Sequence, residues 1–217
     1  CKVRRKTIVE TKQISKAVIK RLPRYYRYLG ELMEDNVERI SSNELSKKMH
    51  TTASQIRQDF SCFGEFGQQG YGYNVEELRS EIGHILGVDN DHHLIMIGVG
   101  NLGRALLNNF PFENTGFTVD ASFDVSPDVI DTQINGIPVY STDELEPYIK
   151  RHAVDVVVLT IPQAVAQATA NRLIDLGIRG FWNFTNVELS SPNSDVQFEN
   201  IHFADSLLTL SYRIANH

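Results

Sequence analysis

Cysteine is scarce: Cys1 and Cys62 are the two thiols in 217 residues. Two thiols in these places make no disulfide framework and no metal-ligand spacing, so no metal is expected and a reducing compartment suits the chain. Long apolar runs are also missing. The longest, Val156 to Ala166, is broken by Pro162 and Gln163 and falls short of the ~20 residues a membrane-spanning helix needs. No apolar leader stands near Lys2, Arg4, Arg5 and Lys6, so a cytoplasmic protein is expected. Internal repeats and low-complexity tracts are absent as well. Seven histidines are present, but His92 and His93 precede a strand, His152 ends a helical stretch, and the others lie away from any expected cleft. None makes a convincing general base, so an enzyme is not expected.

What is present is unevenly charged. Residues 1–60 carry 14 Lys/Arg against 7 Asp/Glu, whereas residues 91–217 carry 6 against 15, in a chain of net charge -6. A basic N-terminal part favours a polyanion and an acidic C-terminal part does not. Apolar positions Ile14, Val18, Leu22, Tyr25, Leu29, Leu32 and Met33 fall at helical spacing, and Pro23 predicts a helix that starts near Leu22. Ser41-x-x-Glu44 and Thr52-x-x-Gln55 read as two capping boxes opening short helices at about 43–49 and 52–60, a helix-turn-helix. Glycines and aromatics then alternate from Phe63 to Tyr73, as in the hairpin wing of a winged helix or, alternatively, an interdomain linker. A helix over 75–86 ends at Gly87, and Asp89-Asn90-Asp91 marks the boundary.

On the second of the paired helices, Ile56 and Phe60 share a face and belong to the core. Ser54, Gln55, Arg57 and Gln58 then point outward, where Arg can pair with guanine and Gln with adenine in a major groove. Lys47 and Lys48 on the helix before it suit phosphates, and Gln68 and Gln69 sit in the wing. Double-stranded DNA is the expected partner.

Beyond the boundary, strand and helix alternate. Leu94–Ile97, 118–123, 154–159 and 180–183 are short apolar runs suited to a parallel sheet, with helices over 105–109, 142–151 and 163–176. The fold class is therefore α/β, an N-terminal winged helix followed by a Rossmann doubly wound sheet. Gly98-Val99-Gly100-Asn101-Leu102-Gly103 follows the first strand and opens a helix: a tight turn, a close backbone approach to a pyrophosphate, and a close helix packing. Asp124 ends the second strand, placed to accept from ribose hydroxyls and to repel a 2'-phosphate, so NADH and NAD+ are expected rather than their phosphorylated forms. Thr160-Ile161-Pro162 closes a further strand at the edge where the nicotinamide half would lie, and Pro162 starts the next helix. Phe203, Leu207, Leu210 and Ile214 make an apolar stripe, for packing on its own domain or on a second subunit.

Ser41-Ser42-x-Glu44-Leu45, Gln55-Ile56-Arg57-x-Asp59-Phe60-Ser61-x-Phe63-Gly64-Glu65-Phe66-Gly67, Gly70-x-Gly72-Tyr73, the fingerprint and Phe123-Asp124-Val125 together resemble the family of the redox-sensing transcriptional repressor Rex, over nearly the whole chain from about Leu22. The resemblance implies a homodimer that binds a pseudo-palindromic operator, is released by NADH but not by NAD+, and represses genes of fermentation and NADH reoxidation. It implies domains over 1–88 and 89–203, and a C-terminal helix over 204–217 exchanged between subunits. Nucleotide-driven closure would then swing the recognition helices off half-sites one DNA turn apart. Gln58 and Gln68 stand where the family commonly has a basic residue, and Cys62 where it commonly has Tyr. His202 stands where some members have an Asp that pairs with an Arg, here Arg27, and meets a Tyr, here Phe110. Two other classes remain open: a small NAD-dependent oxidoreductase, and a CoA-binding module of related topology, against which Asp124 counts.

Overall fold

The computed structural model describes residues 14–64 and 71–216, in two compact units that divide between Asp89 and Asn90. The first unit holds a one-turn helix α1 (Lys16–Ile19), α2 (Leu22–Glu34), β1 (Arg39–Ile40), α3 (Ser42–Met49), α4 (Ala53–Phe60), β2 (Tyr73–Asn74) and α5 (Val75–Leu86). Pro23 sits in the first turn of α2, where its missing N–H costs nothing. Leu22, Tyr25, Leu29 and Leu32 form that helix's buried stripe. They pack with Leu45, Ile56, Phe60, Leu78 and Ile82 into one core, each such side chain contributing about 1.5–3 kcal/mol by leaving water. Phe60 meets Tyr25 and Tyr73 edge-on, both at 5.1 Å between ring centroids.

The caps explain why the helices start where they do. Ser41 and Glu44 form a complete capping box on α3, with Ser41 N–H donating to Glu44 Oε2 at 2.9 Å and Glu44 N–H to Ser41 Oγ at 3.2 Å. The second expected box is only half made. Thr52 Oγ1 accepts from the Gln55 N–H at 3.1 Å, but the Gln55 side chain turns to Asp59 instead of back to the cap. His50, at φ 49°, reverses the chain between α3 and α4. β2 pairs antiparallel with β1, which precedes the helix-turn-helix. The middle of the expected wing, Gln68 and Gln69 included, lies outside the described residues.

The second unit is built on a seven-stranded sheet. Its strands are β3 (His92–Ile97), β4 (Phe117–Asp124), β5 (Gln133–Ile134), β6 (Ile137–Ser141), β7 (Val156–Leu159), β8 (Gly180–Asn183) and β9 (Gln197–Asn200), in spatial order β5-β6-β4-β3-β7-β8-β9. All pairs are parallel except β5 with β6. Helices α6 (Asn101–Asn109), α7 (Leu145–Arg151), α8 (Gln163–Asp175) and α9 (Phe203–Ala215) complete it. Ile95, Ile97, Val157 and Leu159 pack with Ala166, Ala170 and Leu173 of α8, whereas Leu94, Met96 and Val158 pack with Leu107 of α6. That alternation buries both faces of the central strands, the arrangement of a doubly wound sheet.

Four strands were expected and three more are present. The missed ones are β5, β6 and β9, which lie toward the two edges of the sheet. Edge strands need less continuous apolar sequence, and β6 even carries Pro138, which sheets tolerate at their margins. Helix α6 begins at Asn101, four residues before its apolar signal, because its first turn is the glycine fingerprint itself. The final helix, α9, buries no residue within the chain: Phe203, Leu207, Leu210 and Ile214 are all half exposed or more. Phe203 meets the Phe184 ring at 6.0 Å, while Leu207, Leu210 and Ile214 stay exposed on the chain's own domain.

Candidate functional site

The strand order reverses between β3 and β7, whose carboxyl ends open the crevice where doubly wound sheets hold ligands. The structure brings three expected segments together there. Gly98 follows β3 at φ 94°, a left-handed conformation, and a Cβ on it would lie 2.7 Å from the Thr160 carbonyl oxygen. Gly103 packs α6 against the turn so closely that a Cβ would run into the Gly98 carbonyl. Around Gly100, by contrast, a Cβ would meet nothing within 4 Å. Gly100 is also the N-cap of α6, and no side chain caps that helix. The N-terminus of α6 thus has no capping side chain and open space beside Gly100, at the positive end of a helix dipole, where anions are stabilised.

The neighbouring side chains hold this turn in shape. Asp124, at the end of β4, accepts from the Val99 N–H at 2.7 Å and from the Ser126 N–H at 2.8 Å, one bond on each carboxylate oxygen. A carboxylate has about four acceptor sites, so capacity remains for two hydroxyls. Thr160 Oγ1 donates to the Gly98 carbonyl at 2.6 Å. Its proton is therefore spent inside the turn, and the oxygen keeps acceptor lone pairs. Ile161 packs its Cγ2 beside Gly98. Pro162 is exposed and serves as the N-cap of α8, one residue outside the helix. Arg104, which the sequence reading passed over, donates Nε to the Val99 carbonyl at 3.0 Å and brings a cation to the turn. Its place immediately after the third glycine was the available signal.

Among the described residues no group of three or more His, Cys, Asp or Glu could hold a metal ion, and no helix is long and apolar enough to cross a membrane.

In the first unit, α3 and α4 form the helix-turn-helix. Lys47 and Lys48 are exposed on α3, and Ser54, Arg57 and Gln58 are exposed on α4. Arg57 Nη1 donates to Ser42 Oγ at 2.9 Å. Gln55 departs from expectation: it is half-buried, and its amide Nε2 donates to Asp59 Oδ1 at 2.8 Å. Asp59 itself is wholly buried. Arg21 grips it through Nε to Oδ2 and Nη2 to Oδ1, both at 2.7 Å, and the Tyr25 hydroxyl donates to Oδ2 at 2.8 Å. Burial alone would raise the Asp59 pKa, but the hydrogen bonds from Arg21, Gln55 and Tyr25 outweigh it and hold the carboxyl below its usual range. Burial, with the Asp59 hydrogen bond, pushes the Tyr25 phenol up, so it stays protonated. This cluster was missed; a Gln four residues before an Asp on a helix is the pattern that could have signalled it.

Two residues singled out for departing from the family pattern have partners of their own. His202 Nε2 lies 2.9 Å from Glu188 Oε2, and that contact lowers the Glu188 pKa. Phe110 packs edge-on against Phe112 and Trp182, at 4.7 and 5.2 Å.

Comparison with known proteins matches each of the two units. A family profile described as "Putative DNA-binding protein N-terminus" matches residues 13–61, and one described as "CoA binding domain" matches residues 89–187. The redox-sensing transcriptional repressor Rex of Clostridium botulinum strain Eklund 17B is 48% identical over 205 residues, covering 94% of this chain and 97% of that one. The Rex of strain Hall is 50% identical over 200 residues, covering 92% and 95%. Among solved structures, RSP in complex with NAD+ and operator DNA superposes with a TM-score of 0.86 at 50% identity, covering 97% of this chain and 94% of that one. RSP in complex with NADH gives a TM-score of 0.86 at 47% identity, covering 97% and 96%. RSP is itself described as a Rex-family repressor. With about half of its residues identical across more than nine-tenths of each relative, this chain belongs to the family of the redox-sensing transcriptional repressor Rex.

Proposed function

We propose that this chain is a DNA-binding transcriptional repressor that senses the NADH/NAD+ ratio, holding a pseudo-palindromic operator and leaving it when NADH binds. The observation that carries this reading is the likeness along nearly the whole chain to one repressor solved both with NAD+ and operator DNA and with NADH. The protein acts as a regulator, with no chemical step of its own.

In this reading the dinucleotide lies along Gly98, Val99, Gly100, Asn101, Leu102 and Gly103. Its diphosphate meets the α6 N-terminus over the open space at Gly100, with Arg104 as a nearby cation. Asp124 accepts from the adenosine ribose through the acceptor sites its backbone bonds leave free. Thr160 acts by fixing the turn, and Ile161 and Pro162 border the nicotinamide half. Ser54, Gln55, Arg57 and Gln58 face the major groove, Lys47 and Lys48 hold phosphates, and Gln68 and Gln69 extend the contact from the wing.

A homodimer supplies two such helices for the two half-sites. The large apolar side chains that α9 leaves exposed, Phe203, Leu207, Leu208, Leu210, Tyr212 and Ile214, support residues 204–217 as the element exchanged between subunits. Residues 1–88 and 89–203 are then the DNA-binding and nucleotide-binding domains.

Fluorescence anisotropy on an operator probe, titrated with NADH and then NAD+ at fixed salt, tests the reading. Release by NADH alone is expected. Binding that ignores both nucleotides would overturn it. The match of residues 89–187 to a CoA-binding profile gives CoA as the competing ligand, and calorimetry with CoA and NADH separates the two. Tight CoA binding without NADH binding would replace the cofactor, and steady turnover of NADH with a carbonyl substrate would replace the regulator with an oxidoreductase.

A further inference from the structure

The buried cluster behind the recognition helix bears on which bases that helix can read. Asp59 receives four hydrogen bonds, two from Arg21 and one each from Tyr25 and Gln55. Four donors fill the acceptor capacity of a carboxylate. An ionised carboxylate has no proton to give, so the Gln55 group that meets it must be the NH2. Turning the amide over would set its carbonyl oxygen against Oδ1 in a buried site, two acceptors with no proton between them. The polarity of Gln55 is thus settled by its partner's chemistry, where an amide on an open surface is free to flip.

The consequence falls on the other end of the amide. Gln55 is the third residue of α4, in the first turn, which is the part of a recognition helix that meets base edges. Its Oε1 accepts no hydrogen bond among the described residues and is not among their buried unpaired atoms. It therefore lies open as an acceptor.

We propose that Asp59, gripped by Arg21 and Tyr25, is a positioning residue that locks the Gln55 amide with Oε1 outward, so that the helix selects a base presenting an exocyclic amine in the major groove, adenine or cytosine, at the position Gln55 faces. Guanine shows the major groove two acceptors, and thymine an acceptor and a methyl group. Neither offers Oε1 a donor. The inference rests on the DNA-binding reading above and deepens it.

The experiment begins with operators selected by the full chain from a randomised duplex library, with wild type and with Gln55→Ala. The position whose preference Gln55→Ala erases is then rebuilt with an analogue lacking the amine, nebularine for adenine or 2-pyrimidinone for cytosine. Wild type is expected to lose about fivefold in affinity on amine removal, the worth of one hydrogen bond, while Gln55→Ala loses nothing further. A Gln55-dependent preference for guanine or thymine, or an amine deletion that wild type ignores, overturns the proposal. A wild-type chain with no preference for any duplex removes the DNA-binding reading instead, which is a distinguishable result. Asp59→Asn tests the positioning role, since a neutral amide at 59 can face Gln55 with either end. Tolerance of guanine or thymine should appear at that one position, whereas a uniform loss over all positions would make Asp59 merely structural. Should Asp59→Asn fail to fold, the analogue series with wild-type protein still decides the claim that Oε1 reads an amine.

Discussion

Two glycines of one fingerprint separate fold from ligand binding, because the space around them differs. At Gly103 an added Cβ would strike the Gly98 carbonyl and sit 3.0 Å from Thr160 Oγ1, and that carbonyl is itself pinned by the Thr160 hydroxyl at 2.6 Å. Backbone so held cannot give way, so Gly103→Ala must push α6 off the sheet. Overpacking of this kind costs about 1–3 kcal/mol, against which alanine returns up to about 1 kcal/mol of helix propensity. A net loss of about 1–2 kcal/mol would lower the melting temperature of the nucleotide-binding unit by about 4–8 °C. At Gly100 the backbone has φ -65° and a Cβ meets nothing within 4 Å. Alanine is a poorer N-cap by about 0.5–1 kcal/mol, but it also restricts the unfolded chain by about 0.4–1 kcal/mol. Gly100→Ala should therefore melt like wild type. It should nevertheless weaken NADH at least about tenfold, or 1.4 kcal/mol, since the proposed placement brings the diphosphate closest to that methyl. Calorimetric melting and NADH titration of both variants measure the contrast. Wild-type NADH affinity in Gly100→Ala would refute the placement of the diphosphate, and a wild-type melting temperature in Gly103→Ala would refute the close approach of helix to turn.

Arg57→Ala should lower affinity for a selected operator by about 1–3 kcal/mol with little change on random duplex; an operator affinity unchanged by the substitution would remove Arg57 from base readout. Asp124→Ala should weaken NADH and leave DNA affinity without nucleotide unchanged, since the two backbone N–H groups it loses, Val99 and Ser126, belong to the nucleotide unit; NADH titration and anisotropy together check this. Replacing Leu207 and Ile214 of the exposed α9 stripe with Asp should yield a monomer by light scattering, and a persistent dimer would place the subunit contact elsewhere. Because the Asp59 carboxyl is held below its usual range, its contribution to stability is present above the unfolded pKa, about 4, and is lost as pH falls through the folded value. Urea unfolding between pH 7 and 3 should show Asp59→Asn less stable at neutral pH, by about 3 kcal/mol, yet with a flatter acid limb than wild type.

Much of this architecture could be read from the chain because the signals were local. The α2 stripe with Pro23 in its first turn, the Ser41 capping box and the glycine fingerprint after β3 each depend on a few neighbouring residues. The strand β9 was not legible for the opposite reason, since Gln197–Asn200 is held by pairing with Gly180–Asn183 and is too short to stand out from a loop. β5 and β6 did leave a local signal: they pair with each other across Asn135-Gly136, both at positive φ, the two-residue turn that marks a hairpin. The same distinction separates the two capping boxes. Both have the right residues at the right spacing, but Gln55 has a buried carboxylate four residues on, and Glu44 does not.

Gln55 and Thr160 carry this point from fold to function. Sequence spacing puts both at proposed sites of recognition, and each spends a hydrogen bond inward. Thr160 gives its hydroxyl to Gly98, and Gln55 gives one N–H to Asp59. A motif states which side chain stands at a site, whereas the direction in which its donors and acceptors face is set by partners far off in sequence, such as Arg21 for the residue at 59. For Thr160 that inward bond braces the Gly98 turn and leaves the hydroxyl only acceptor lone pairs to turn outward. For Gln55 it leaves a single, oriented acceptor, and orientation fixed before binding avoids part of the side-chain entropy that a free glutamine would lose on the DNA.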